Sequence, residues 1–371
     1  MHTILVIGGT HHLELRAAIE RRGHAIFDLA ANDAPLALVE RIATLHAQQK
    51  FVAIVAACEE GRVAAAMASA KLGLRGVSLG AVLNTGDRAR MRSILHHAGM
   101  GQVLFRKCTT RGEAAEFLMN IGGAIVLYGQ EEAAVVRSSS ELHAAWERIS
   151  RRAVGGVLCE EHVDGSVVSV EGCSISGRFH GAAVTSHAID RQGVTVGYEQ
   201  PARVSDDLRK SLFAFTSRVI ALLGVTDGVT HTTWKLTARG PVLIGTTTRN
   251  GGGRIPLLTQ LSSGIDLADA EVAHAVGEGI AVPQRIDGEA VAVRLIPATD
   301  GIVSYVDLPD ASEVYAAGTS VTAGDLIHTN HEPLAWVVTT GERAVQRADA
   351  FAARIEIIIE EERTPCAQTA S

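Results

Sequence analysis

Short apolar runs and helix-spaced stretches take turns along the first part of the chain. Residues 3–7 (TILVI) are apolar throughout, and residues 12–22 carry a helical period that stops at Gly23. Residues 24–29 and 51–57 read as further strands, and 61–72 as an alanine-rich helix. Apolar strands separated by helices predict a small parallel sheet covered on both faces. Farther on, strands are predicted at 103–106, 124–128 and 157–165, with helices at 111–119 and 142–152. Strands at 167–172 and 178–187 then lead to a helix over 206–223. Its apolar positions Leu208, Leu212, Phe215, Val219 and Leu222 define one face. A hairpin follows, 229–236 and 241–247, turning at Ala238-Arg239-Gly240. Helices at 257–267 and 270–276, strands at 290–296, 302–307 and 321–325, a helix at 342–353 and a strand at 354–359 complete the pattern. A polar tail, expected to be loose, ends the chain. The whole predicts an α/β chain that becomes α+β in its C-terminal part.

Composition narrows this picture. The length of 371 residues allows two or three domains with cores of their own. Hydrophobic residues reach 47% while aromatic residues are only 4%, so the cores are aliphatic. A net charge of −7 and the lack of any basic run argue against a nucleic-acid surface. Five cysteines, Cys58, Cys108, Cys159, Cys173 and Cys366, form no CxxC pair, which fits neither a disulfide framework nor a zinc site. Cys58 and Cys159 read as buried thiols rather than nucleophiles. No apolar run approaches the ~18 residues of a membrane span, and no leader pattern opens the chain, so a cytoplasmic location without a membrane partner is expected.

Candidate chemistry concentrates after the hairpin. Gly251, Gly252 and Gly253 stand between Arg249 and Arg254. Consecutive glycines let backbone approach a ligand closely, and paired guanidiniums suit a carboxylate or phosphate. The competing reading is a tight surface turn with two solvated arginines. Among fifteen histidines, the pairs His11-His12 and His96-His97 lack acidic or thiol company at ligand spacing, so no metal site is expected. Gly8-Gly9 follows the first strand without the GxGxxG spacing, and no GxSxG nucleophile turn occurs.

The hairpin and loop resemble the core of the ATP-grasp superfamily, in the carboxylate–amine ligase branch that includes the L-amino-acid (dipeptide) ligases. There the strands read His-x-Glu-x-Lys and Glu-x-Asn-x-Arg, and the two acids and the asparagine hold the magnesium ions on ATP. Here the frame is His231-Thr232-Thr233-Trp234-Lys235 and Gly245-Thr246-Thr247-Thr248-Arg249. The acid positions fall at Thr233 and Gly245, and the asparagine at Thr247, none of which supplies the carboxylate oxygens magnesium prefers. The resemblance runs from residue 3 to about residue 359. It implies an N-terminal Rossmann-like domain (1–86), a shortened small subdomain (87–160), and an antiparallel core sheet with a C-terminal β-rich lobe (161–371).

Further positions carry the resemblance and its departures. Asp87-Arg88 stands where the family has Asp-Lys, a phosphate contact. Leu127 occupies the position of a second phosphate-binding lysine, and the lid is shortened to Gln130-Glu131-Glu132, whose two carboxylates would repel a polyphosphate. The stretch 157–165 with Glu160 and Glu161 resembles the hinge that grips adenine. Val167 stands where glutamate is usual, and Glu171 lies on the same strand. In the amino-acid ligases the arginine at the Arg249 position and the glycine loop meet the acyl phosphate and the substrate carboxylate. The resemblance therefore assigns catalysis to Arg249 and His231, substrate binding to Arg249, Arg254, Gly251, Gly252, Gly253 and Glu171, and cofactor contact to Arg88, Glu160 and Glu161.

The expectation is a degenerate homologue that binds a small amino-acid- or peptide-like carboxylate without ATP-dependent ligation. No cofactor is expected. It would serve as partner or regulator of an intact ligase, act with a second copy of itself, or run ATP-independent chemistry. The alternative is an active carboxylate–amine ligase using ATP and magnesium, with ligands from Glu160, Glu161, Glu171, Glu199 or a partner chain. A purely structural interaction protein is the third reading.

Overall fold

A computed structural model describes residues 2–8, 12–129, 132–153, 155–280, 288–328 and 332–360. The expected Gly9 turn, His11, the lid residues Gln130 and Glu131, and Cys366 in the tail lie outside them. Among the described residues no helix is long and apolar enough to cross a membrane.

The N-terminal strands Thr3–Ile7, Ala25–Leu29 and Phe51–Ala56 form the expected parallel sheet, with Thr3–Ile7 in the middle. Side chains alternate across a strand. Ile4 and Val6 accordingly meet Ala268 and Val272 on one face, while Leu5 and Ile7 meet Leu38, Ile42 and Ala64 on the other. The covering helices are Leu267–Val276, from far along the chain, and Pro35–Gln48 with Gly61–Leu72. The helix Pro35–Gln48 escaped the pattern reading, although Pro35 at its start is a known entry signal. Packing Leu267–Val276 against this sheet brings the glycine loop to the sheet's carboxyl edge.

A four-stranded antiparallel sheet, in the order Phe105–Cys108, Val157–Glu161, Ile125–Tyr128, Ala133–Val136, makes the small lobe. Its core holds Leu127, fully buried, together with Phe117, Leu142 and Trp146. Eight antiparallel strands form the central sheet, ordered Gly240–Thr247, Gly228–Thr237, Ser166–Ile175, Arg178–Ile189, Thr195–Gln200, Val291–Ile296, Ala335–Thr340, Ala316–Thr319. A small sheet of Leu326–Ile327, Gly301–Asp307 and Glu356–Glu360 completes the C-terminal part. The mixed α/β architecture is thus the one the pattern predicts. One local expectation fails. Residues 321–325 are a turn rather than a strand, because the Asp325 carboxylate accepts the Thr322 backbone N–H at 2.7 Å.

The helix Asp206–Leu222 also sits differently from expectation. Leu212, Thr216, Val219 and Ile220 are its buried residues, while Phe215 and Leu222 are exposed. Trp234, deep in the sheet, donates its indole N–H to Thr216 Oγ1 at 3.1 Å. A buried indole needs an acceptor, and that requirement turns the threonine inward.

Candidate functional site

The hairpin strands pair with His231 opposite Thr247 and Thr233 opposite Gly245. Directly opposed residues share a face, so His231, Thr233, Gly245 and Thr247 lie together on one side. Thr230, Thr232, Trp234 and Thr246 are buried on the other. On the adjoining strand Glu171 stands opposite His231, and Ser169 opposite Thr233. The result is a polar face looking out of the central sheet.

Glu171 is its anchor, at 1% exposure. Its Oε1 accepts hydroxyl protons from Ser169 at 2.6 Å and Thr185 at 3.0 Å. Its Oε2 accepts from His231 Nδ1 at 2.8 Å. Burial alone would raise this carboxyl, but the His231 charge and these hydrogen bonds outweigh it and hold the pKa below the ordinary value. His231 Nε2 stands 3.4 Å from Thr233 Oγ1. Since Ser169 spends its proton on Glu171, His187 Nε2 donates to Ser169 Oγ at 2.9 Å. His187 is held neutral, its pKa lowered to about 4 chiefly by burial and then by the charge of His231. Tyr198 packs edge-on against His187 at 4.8 Å between centroids, and burial pushes its hydroxyl up to about 12.

Beside Gly245 lies the Arg88 guanidinium: a Cβ at position 245 would stand 3.6 Å from Arg88 Nη2. Arg88 donates to the Ile244 carbonyl at 2.6 Å and lies over the Tyr128 ring at 4.3 Å. Thr247 donates to Glu59 Oε2 at 3.1 Å. Glu160, buried, is bonded by Arg92. Glu161 is bonded by Arg239 at 2.9 Å, and Glu199 pairs with Arg294 at 3.3 Å. Glu132 is bonded to Arg148. Among the described residues no group of three or more His, Cys, Asp or Glu side chains is placed to hold a metal ion. His96 and His97 sit edge-on to one another, with His97 Nδ1 on the Ser93 carbonyl at 2.7 Å.

A cavity of about 300 Å³ opens on the other side of the glycine loop. Arg249, Asn250, Gly251, Gly252, Gly253 and Arg254 form one wall; Leu13, Glu14, Ala56 and Ala57, at the carboxyl edge of the parallel sheet, form another. Open α/β sheets bind ligands at that edge. Trp336 and Glu271 close the space. Arg249 is partly exposed, donating from Nε to Glu59 Oε2 at 3.2 Å and from Nη1 to the Asn250 carbonyl at 2.9 Å. Arg254 is more deeply buried: its guanidinium bonds Glu14 at 2.9 Å and lies 3.7 Å over the Trp336 ring. Arg249 and Arg254 therefore share a wall but differ in exposure.

Two of the three glycines are required by close approach. A Cβ on Gly251 would meet His231 Nδ1 at 2.8 Å, and one on Gly253, at φ +59°, would meet Tyr198 at 2.5 Å. Gly252 faces open space.

Several residues at the site were not singled out by the pattern. Glu59 receives Arg62, Arg249 and Thr247 together. Its place just after a parallel strand is the signal that could have found it. Glu271 accepts from Asn250 Nδ2 at 2.6 Å, and burial pushes its carboxyl up to about 7 against that bond and the Arg249 charge. It sits on a helix whose apolar residues read as core, so the sequence offers no comparable signal. Cys108, Cys159 and Cys173 are buried thiols and Cys58 is half-buried. Burial raises the Cys58 and Cys159 pKa values.

Solved structures share this architecture. The L-amino acid ligase of Bacillus licheniformis superposes with a TM-score of 0.85 at 18% identity, over 97% of this chain and 99% of that one. Phosphoribosylglycinamide synthetase of Anaerococcus prevotii gives 0.76 at 15% identity, over 97% and 100%. N5-carboxyaminoimidazole synthase of Aspergillus clavatus, solved with ADP and its ribonucleotide, gives 0.72 at 14%, over 94% and 96%. In sequence, uncharacterized protein y4rH of Sinorhizobium fredii is 26% identical over 231 residues, 60% of this chain. The chain spans about half the length of that curated relative, 48% of it being matched. No protein-family profile matches the sequence.

Proposed function

We propose that this chain, which has the ATP-grasp fold of carboxylate–amine ligases, binds a small amino-acid- or peptide-like carboxylate without ATP-dependent ligation. The observation carrying this reading is the contrast between the two sides of the glycine loop. On one side the positions equated with magnesium ligands hold Thr233, Gly245 and Thr247, with the Arg88 guanidinium beside them. Magnesium requires hard, mostly anionic oxygen ligands in octahedral array. Two hydroxyls, a glycine and a cation do not match that need, so no step is routed through Mg-ATP. On the other side Arg249 and the glycine loop line an open cavity. A carboxylate there gains a guanidinium contact and backbone donors without a metal.

Arg249 is the anion-binding residue in this reading, and Arg254 a wall fixed by Glu14 and Trp336. Glu171 and His231 support the loop from beneath, since Gly251 packs on His231. The protein would act beside an intact ligase, with a second copy of itself, or in an ATP-independent step. The active-ligase alternative draws on the likeness to a fold neighbour solved with ADP. Against it stands the pairing of Glu160, Glu161 and Glu199 with arginines, and the hydrogen bonding of Glu171 by His231, Ser169 and Thr185. Calorimetry with Mg-ATP, followed by L-alanine and L-alanyl-L-alanine as probes, tests the proposal. Binding of a probe with no Mg-ATP heat supports it. Micromolar Mg-ATP affinity with ADP release removes it.

A further inference from the structure

We infer that Thr233, His231 and Glu171 form an acyl-transfer triad on the exposed face of the central sheet, with Thr233 as nucleophile. The inference rests on the ATP-free reading and extends it to a reaction.

Strand register places the three groups. Glu171 stands opposite His231 on the neighbouring strand, and Thr233 follows two residues along the same face. Proton accounting fixes their roles. Glu171 Oε1 already accepts two hydroxyl protons, and Oε2 can only accept, so the imidazole is protonated at Nδ1. In the neutral imidazole that leaves Nε2 as the acceptor, facing Thr233 Oγ1 3.4 Å away. Nucleophile–base contacts are often this loose before substrate arrives. The hydrogen bonds around Glu171 favour its ionised form, as an orienting acid requires. A histidine that merely filled space between strands would not need a carboxylate at 1% exposure behind it.

The surroundings supply the remaining parts. Thr233 is partly exposed, and its cross-strand partner is Gly245, whose missing side chain leaves Arg88 Nη2 facing the same spot. A guanidinium there stabilises the oxyanion that develops during acyl transfer. Thr247 lies opposite His231, and Thr247 and Arg249 both bond Glu59 Oε2, so Arg249 borders this face as well as the cavity. The substrate class is therefore an ester or thioester whose acyl portion carries a carboxylate for Arg249. Thr233 Oγ bonds to the acyl carbon as its proton passes to His231 Nε2. The bond to the leaving oxygen or sulfur breaks, and that atom takes the proton from Nε2. Water or an amine then attacks the acyl-threonine, giving its proton to Nε2. The ester bond breaks, Thr233 recovers the proton, and an acid or an amide is released.

The test uses p-nitrophenyl hydrogen succinate with the full chain, read as p-nitrophenolate release and by peptide mass spectrometry after an acid quench. A burst of one equivalent is expected, with succinyl on Thr233. Thr233→Val abolishes the label and Thr233→Ser restores it. His231→Gln slows acylation by about a hundredfold or more. Glu171→Gln, which removes the charge behind His231, moves the acidic limb of the pH–rate profile to lower pH. A label on another residue, unchanged acylation in Thr233→Val or His231→Gln, or an unmoved profile in Glu171→Gln overturns the triad. Titration of unreactive succinate into Thr233→Val and Arg249→Ala keeps the two claims apart. Succinate binding lost only in Arg249→Ala, without any Thr233 label, removes the triad and leaves the carboxylate site standing.

Discussion

The buried carboxylate of Glu160 is gripped by Arg92 on both oxygens, from Nε at 2.8 Å and from Nη2 at 3.0 Å, while Arg92 Nη1 also reaches the Leu243 carbonyl at 2.7 Å. This pair ties the small lobe to the hairpin. It also commits the Glu160 carboxylate to structure. Removing one partner of a buried pair costs about 3–5 kcal/mol, and here, among the described residues, only Arg88 Nη1, 3.8 Å from Glu160, would remain beside the carboxylate. Arg92→Met is therefore expected to destabilise by that order in urea unfolding. Arg92→Met with Glu160→Met should recover much of the loss; a double variant as unstable as the two losses added would contradict the coupling.

Placing acids at the positions equated with magnesium ligands should not by itself confer ligase activity. Thr233→Glu, Gly245→Glu and Thr247→Asn together leave Leu127 buried in the small-lobe core and Arg88 against the hairpin. In the proposed reading this variant still has no cation at position 127 to hold ATP phosphates. No ADP is expected from this variant with ATP, magnesium and paired amino acids. ADP formation in a coupled assay would show that a cation at position 127 matters less than argued.

Neighbouring glycines should differ sharply. Gly253→Ala forces a Cβ to within 2.5 Å of Tyr198 at a positive φ, whereas Gly252→Ala meets nothing within 4 Å. The first is expected to cost on the order of 1–3 kcal/mol and to weaken binding in the cavity. The second should leave thermal stability and binding unchanged. Equal effects would mean that the loop does not rest on Tyr198.

Much of the fold was legible because the N-terminal strands are apolar runs, as at Thr3–Ile7, and the helices are alanine-rich or amphipathic, as at Gly61–Leu72 and Asp206–Leu222. The misreadings have particular causes. Phe215 and Leu222 belong to the helical period, yet Trp234 needs Thr216 as hydrogen-bond acceptor, and the helix turns accordingly. The loop and its two arginines could be picked out from Gly251–Gly253. That Arg254 would be locked on Glu14 and Trp336 could not, because those partners lie 240 residues before it and 82 after it in the chain. Glu171 and His231 were singled out by resemblance; their mutual hydrogen bond depends on strand register, which periodicity does not fix.

Two shifted groups predict opposite pH slopes. Glu271 keeps its proton up to about 7 when folded, against an ordinary 4.5. Between those values the unfolded chain has lost the proton and the folded one has not, so stability falls as pH rises. His187, lowered to about 4 from 6.5, binds its proton in the unfolded chain first, so stability rises with pH across that interval. Each contributes at most about 1.4 kcal/mol per pH unit, and they offset one another where the windows overlap. Glu271→Gln should unmask the rise and His187→Asn the fall in urea unfolding measured from pH 4.5 to 7. Parallel slopes in the two variants would contradict the assignment. The same Glu271 charge, gained above about 7, should weaken anion binding beside Arg249.

The central claim is metal-free carboxylate binding through Arg249. An NMR titration of L-alanyl-L-alanine into wild type, Arg249→Ala and Arg249→Lys, each with and without Mg-ATP, addresses it most directly. The account predicts one affinity for wild type whether or not Mg-ATP is present. It also predicts loss in Arg249→Ala and nearly the same loss in Arg249→Lys, since an ammonium cannot reproduce the planar guanidinium fork. Dipeptide binding that appears only with Mg-ATP, or that survives in Arg249→Ala, would contradict it.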